Sequence, residues 1–216
     1  MADMEAFRNA VTDWAAGGPG GPAGKLAAEL GVAAAVLVEG PSDLAAVETL
    51  AARLNRDLAA EGVCVISMGG AMNVGRYVRL LGPPGLGLRL TGLCDEQEHP
   101  FYDRALRQAG AAGHEVFVCV KDLEEELIRA LGMPGVEEII KAEGDLVPWQ
   151  TFIRQPAQRD REPHHRMRRF LGTKKGRKIR YGHLLTQALD LDLLPAPLDA
   201  LFTTLRDAEG ADHGKR

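Results

Sequence analysis

The sequence predicts an α/β fold: a four-stranded parallel sheet with helices on both faces, followed by a helical, basic C-terminal extension. Three observations predict it. Four short apolar runs recur near residues 33–38, 63–67, 88–94 and 116–120. Segments with helical patterning lie between them, and strands alternating with helices indicate βαβ units. After about residue 132 the strand signals stop, and only helices and loops are expected.

Taken in order, residues 3–16 read as a short helix ended by GGPGGPAG, whose composition is that of a flexible joint. KLAAEL is a second short helical piece before Gly31. AAAVLVEG (33–40) is a continuous apolar run, which suits a strand buried on both faces. Ser42 is expected as the N-cap of a long helix, SDLAAVETLAARLNRDLAAEG, stopped by Gly62. VCVISMGG then reads as a strand and glycine turn, AMNVGRYVRLLG as a helix, and LGLRLTGLCD as a strand. HPFYDRALRQAG (helix), HEVFVCV (strand) and DLEEELIRALG (helix) follow. VEEIIKAE, WQTFIRQ, HRMRRFL, RYGHLLTQALDL and LDALFTTLRD read as further helices. The expected organisation is an N-terminal helix and Gly/Pro linker (1–32), a core (33–131), a helical extension with a basic segment (132–208) and a disordered tail (209–216).

Composition excludes several classes. Hydrophobic residues make up 45% and charged residues 26% of the 216, as in a globular chain. No apolar stretch nears the roughly 18 residues that span a bilayer, so no membrane partner is expected. MADMEAFRNAVTDW has no apolar core and does not read as a secretory signal. Cys64, Cys94 and Cys119 each sit in an apolar run without a CxxC pair, so free buried thiols in a reducing cytoplasm are expected. The net charge of −4 is unevenly spread. Between Arg154 and Arg180 eleven Lys/Arg face only Asp160 and Glu162, a local +9 that leaves −13 for the remainder. A basic strip beside an acidic cluster is what phosphate chemistry wants.

Several motifs fail on inspection. The first Gly-rich segment offers Gly24-Lys25, but Pro19 occupies the first glycine position of a P-loop and Leu26 replaces its hydroxyl. Gly85-Leu86-Gly87 lacks the third glycine and following helix of a dinucleotide site. His164 and His165 are adjacent, so their side chains diverge, which disfavours metal ligation. VLVEGPSD differs. Glu39 ends the first strand and Asp43 begins the next helix, while CDEQE ends the third strand with Asp95, Glu96 and Glu98. Parallel strands bring both ends to one sheet edge, where open α/β sheets bind ligands. Converging carboxylates suit hard divalent cations.

On VLVEGPSD, VISMGG and LTGLCDEQE the chain resembles the TOPRIM family over roughly residues 33–131. That family includes topoisomerases, primases, small RNA-maturing nucleases and the overcoming-lysogenization-defect nucleases. The resemblance implies acid/base or metal duty for Glu39 and Mg²⁺ binding by the strand-three acids. The usual Asp-x-Asp falls on Asp95-Glu96-Gln97, so Gln97 stands where the second acid is expected, with Glu98 or Glu96 as its substitute. VFVCVKDLEEEL and GRKIRYGHLLTQAL are similar to the overcoming-lysogenization-defect branch. The likeness implies that Glu124 is a metal ligand and Lys178 the catalytic lysine, with Lys174 and Lys175 as competitors. In that branch the domain follows an ATPase; this chain resembles the nuclease half alone.

The resulting expectation is a Mg²⁺- or Mn²⁺-dependent endonuclease acting on DNA rather than RNA. Two ions would be held by Glu39, Asp43, Asp95, Glu98 and Glu124, with Glu39 and Lys178 as catalytic groups. A separate ATPase and a homodimer are the expected protein partners. The rival readings are a non-catalytic nucleic-acid-binding module and a primase-like nucleotidyltransferase.

Overall fold

A computed structural model describes residues 3–110, 115–174 and 176–213, with side chains through residue 206 in the last helix. All four expected strands are present as β1 (Ala34–Val38), β2 (Val63–Ser67), β3 (Arg89–Asp95) and β4 (Glu115–Cys119). They form one sheet in the order β2-β1-β3-β4, with every neighbouring pair parallel. Every residue of β1 is buried, as its unbroken apolar run requires. Ala35 and Leu37 face one core; Ala34, Val36 and Val38 face the other.

The first core is covered by α1 (Met4–Ala15), α2 (Gly21–Leu30), α4 (Val74–Leu81) and α5 (His99–Gln108). The second lies under α3 (Pro41–Arg53), α6 (Leu123–Ala142), α7 (Leu146–Ile153), α8 (Pro163–Leu171), α9 (Arg177–Gln187) and α10 (Ala196–His213). The helical extension is thus packed onto the sheet face that also carries α3. Among the described residues no helix is long and apolar enough to cross a membrane. All three cysteines are buried and unpaired, and burial pushes Cys64 up to about 11 and Cys94 up to about 12.

The structure departs from the sequence expectations in four places. The Gly/Pro joint is largely helical: α2 begins at Gly21 with Pro22 in its first turn, where proline's missing N–H costs nothing. Its glycines serve contact as well as bending, since a Cβ on Gly20 would lie 2.5 Å from the Trp14 ring. Helix α3 is capped by Gly40, not Ser42, because Pro41 already has helical geometry. It also stops at Arg53, two residues before Asn55 takes φ 55°, so Gly62 ends a separate turn. Helix α6 runs past residue 131 across a kink at Gly132, with φ 68°, and Pro134. At the C-terminus, helical backbone continues to His213; residues 214–216 of the expected tail lie outside the described residues.

Candidate active site

The register delivers the acids to one edge. Val38 pairs with Leu93, so Glu39 leaves β1 one step past that pair, beside the end of β3. Asp95 pairs with Cys119, directly before the turn into α6. That turn carries Asp122 and Glu124, both buried at the helix N-terminus. Asp122 caps the helix by accepting from the Glu125 N–H at 2.8 Å, and the dipole there favours negative charge. Asp43 sits in the third position of α3, where its Oδ2 accepts from the Gly40 N–H at 2.8 Å.

These carboxyls feel one another. Burial pushes Asp95 up to about 8, helped by the charges of Glu39, Asp122, Asp43 and Glu124. Burial likewise pushes Asp43 up to about 7, with Glu124 and Glu39 adding repulsion against the Gly40 N–H and Lys178. Glu39 is raised by burial, then by Glu98, while Lys178 opposes. Glu98, not Glu96, is the acid whose charge raises Glu39 beside Gln97. Glu39, Asp43, Asp95, Glu98 and Glu124 therefore form one electrostatic cluster.

Lys178 enters from the other half of the chain. It lies in the first turn of α9, and its Nζ stands 3.1 Å from Glu124 Oε1. Burial works against its charge, but Glu124, Asp43 and Asp122 together hold its pKa above the usual lysine value. Lys174 forms no ion pair among the described residues, and Lys175 lies outside them.

The placement of Lys178 depends on close packing between α9 and α3. A Cβ on Gly182 would come within 2.7 Å of the Ser42 carbonyl oxygen, so only glycine admits the first turn of α3 this closely. Arg53 donates to the Thr186 and Leu189 carbonyls at 3.0 and 2.7 Å, and Thr49 Oγ1 meets His183 Nδ1 at 2.7 Å. Asp145, before α7, holds Arg177 at 3.0 Å and accepts from the Tyr181 hydroxyl at 3.1 Å. The Arg177 guanidinium also lies 4.3 Å from the Phe170 ring centroid. The helix that carries Lys178 is thus anchored to Asp145 through Arg177 and Tyr181, and to α3 through Gly182 and His183.

Residues 32–96 match the family model described as the overcoming lysogenization defect protein-like TOPRIM domain. The chain carries an OLD-like TOPRIM domain. The solved C-terminal region of the Xanthomonas campestris pv. campestris OLD protein, phased with mercury, is 25% identical with a TM-score of 0.60. That match covers 83% of this chain and 97% of the other. The platinum-phased structure gives 25% identity and a TM-score of 0.61 over 84% and 95%. The C-terminal region of the Burkholderia pseudomallei OLD protein shares the fold at 21% identity and a TM-score of 0.60, covering 82% and 98%. No curated protein matches the chain significantly. In family terms the TOPRIM domain is a nucleic-acid-related module of nuclease type.

TOPRIM domains generally bind divalent metals, and the chemistry of the donors here fits one. They are all carboxylate oxygens, and a hard cation would relieve the repulsion that raises Asp95 and Asp43. Among the described residues no three His, Cys, Asp or Glu side chains already form a ligand set. Asp43 and Glu124 each have one oxygen engaged, Oδ2 by Gly40 and Oε1 by Lys178, which leaves the second oxygen of each to a cation.

Two participants escaped the sequence reading. Asp122 is the cap of α6 and the ion-pair partner of Arg168. The Asp-x-x-Glu spacing of Asp122 and Glu125 before an apolar run was the signal available for the cap. Arg168 gave none, since its partner lies 46 positions away. The basic strip is also divided rather than continuous. Arg168, Arg177, Lys178 and Arg180 are spent on Asp122, Asp145, Glu124 and Glu143. His164 Nδ1 lies 3.1 Å from Glu125 Oε1.

Proposed function

We propose that this TOPRIM module is a divalent-metal-dependent endonuclease that hydrolyses phosphodiester bonds of DNA. The observation that carries the reading is the convergence of five carboxyls with Lys178 at the carboxyl end of the sheet. In this reading Glu39, Asp43, Asp95, Glu98 and Glu124 hold two ions, Mg²⁺ or Mn²⁺. Bound there, such ions activate water and stabilise the leaving 3′ oxygen. Glu39, its pKa raised by burial and by Glu98, is the carboxyl this reading assigns to proton transfer. Lys178 keeps its proton and meets the negative charge that builds on the phosphoryl oxygens in the transition state.

The matched structures are C-terminal regions of OLD proteins, which supports a role beside further machinery. We assign a separate ATPase as that partner and, from the free thiols, a reducing cytoplasm as the setting. Supercoiled plasmid tests the activity: Mn²⁺ or Mg²⁺ should yield nicked and linear forms, and EDTA or Asp95→Asn should abolish them. Undiminished cleavage by Asp95→Asn overturns the assignment. One observation favours a second reading, a binding module without catalysis: Gln97 stands in place of an acid, and no ready-made ligand set accompanies it among the described residues. That reading requires plasmid retention without cleavage at any metal concentration.

A further inference from the structure

A cleft of about 260 Å³ adjoins the acid cluster, lined by Asp122, Glu124, His165, Arg168, Arg169 and Lys178. Its floor is electrically closed, because Arg168 pairs with Asp122 and Lys178 with Glu124. Its wall is not. Arg169 and His165 are exposed and form no ion pair among the described residues. Arg169 therefore leaves the cleft with an excess positive charge.

These side chains are carried rigidly. Met167, Phe170 and Leu171 bury the inner face of α8. Phe170 lies 5.2 Å from Trp149 and 5.7 Å from Phe152 between ring centroids. The outward side of the same helix presents His165, Arg168 and Arg169 at the (i, i+3, i+4) spacing that places them together. Arg168 Nε is buried without a hydrogen-bond partner, so that side chain is held from within the fold and the cleft's free donors are those of Arg169 and His165.

We propose that this cleft seats a second backbone phosphate of the bound DNA strand, neighbouring the one at the acid cluster, with Arg169 as its principal donor and His165 beside it. The inference rests on the DNA-hydrolase reading only for what occupies the far side of Lys178. Glu124 and Lys178 belong to both the acid cluster and the cleft, so a strand reaching from one to the other would be held in register relative to the acids by Arg169.

The test is the salt dependence of duplex-DNA affinity, read by fluorescence anisotropy in Ca²⁺ between about 50 and 200 mM salt. Arg169→Ala should make the slope of log K against log salt shallower by about 0.9, the value for one lost phosphate contact on duplex DNA. Arg169→Lys should keep the wild-type slope, as should Lys25→Ala on α2. Arg169 and Lys25 are both exposed, so these variants should fold. An unchanged slope in Arg169→Ala overturns the subsite, and so does a wild-type chain without affinity for the duplex. Plasmid cleavage by the wild type separates the two readings. Cleavage with an unchanged Arg169→Ala slope removes the subsite and leaves the hydrolase. A shallower slope without any cleavage removes the hydrolase and leaves the subsite.

Discussion

Asp95→Asn should stabilise the metal-free protein at alkaline pH while abolishing the chemistry proposed for it. Burial, and then the charges of four neighbouring acids, push the Asp95 carboxyl up from its ordinary 3.8 to about 8. A raised carboxyl favours the folded state when protonated. Its contribution is fully present below about 3.8 and is lost as pH rises through about 8. A change this large would amount to roughly 6 kcal/mol for an isolated, dry group. Asp95 is only half-buried and shares its repulsion with Glu39 and Asp43, so about 1–2 kcal/mol is the realistic gain on removing the charge. For a chain of this size that corresponds to roughly 2–8 °C in Tm. Thermal unfolding in EDTA should therefore show Asp95→Asn melting above the wild type at pH 8.5, with the gap clearly smaller at pH 5. Saturating Mn²⁺ at pH 8.5 should reverse the order, since only the intact cluster gains the full linkage stabilisation from a bound ion. If Asp95→Asn melts below the wild type at pH 8.5 in EDTA, or the gap persists unchanged at pH 5, the repulsive cluster is refuted.

Lys178→Ala should lower plasmid cleavage by roughly 10²–10³-fold, the usual cost of a lost transition-state donor, with duplex affinity nearly unchanged; equal activity in Lys178→Ala and Lys174→Ala removes the catalytic role. Gly182→Ala sets helix propensity, worth about 1 kcal/mol in favour of alanine, against a Cβ 2.7 Å from the Ser42 backbone oxygen. The clash should win by about 1–3 kcal/mol, so chemical denaturation should give a lower midpoint than wild type. Arg177→Met removes the cation from a buried pair with Asp145. Leaving that carboxylate uncompensated should cost about 3–5 kcal/mol, read as a fall in Tm on the order of 10 °C.

The sheet was legible because its strands are buried on both faces and so appear as unbroken apolar runs, with AAAVLVEG the clearest. The acids at the ends of β1 and β3 were legible for the same reason, since strand type fixes which ends share an edge. Helix limits were less so. Ser42 is a good capping residue in isolation, but Pro41 ahead of it moved the start of α3, and glycine content alone concealed the packed Trp14 contact at Gly20. Pairings across the tertiary structure left no local trace. Nothing around Lys178 announces Glu124, and nothing in HRMRRFL tells Arg168, tied to Asp122, from Arg169, which is free of any ion pair among the described residues. Those differences arise only when α8 and α9 dock.

The contact between α3 and α9 also sets an order of events. Thr49 and His183 lie 134 positions apart, and the contact they mark is what brings Lys178 to the acids. The sheet strands all precede residue 120, so the acid edge can form while the lysine-bearing helix is still unmade or undocked. Closing so long a loop is costly in entropy and gains nothing until Gly182 meets Ser42. During synthesis, then, the growing chain holds its acids without its lysine. A chain interrupted before α9 would carry the acid edge without the lysine that packs against it.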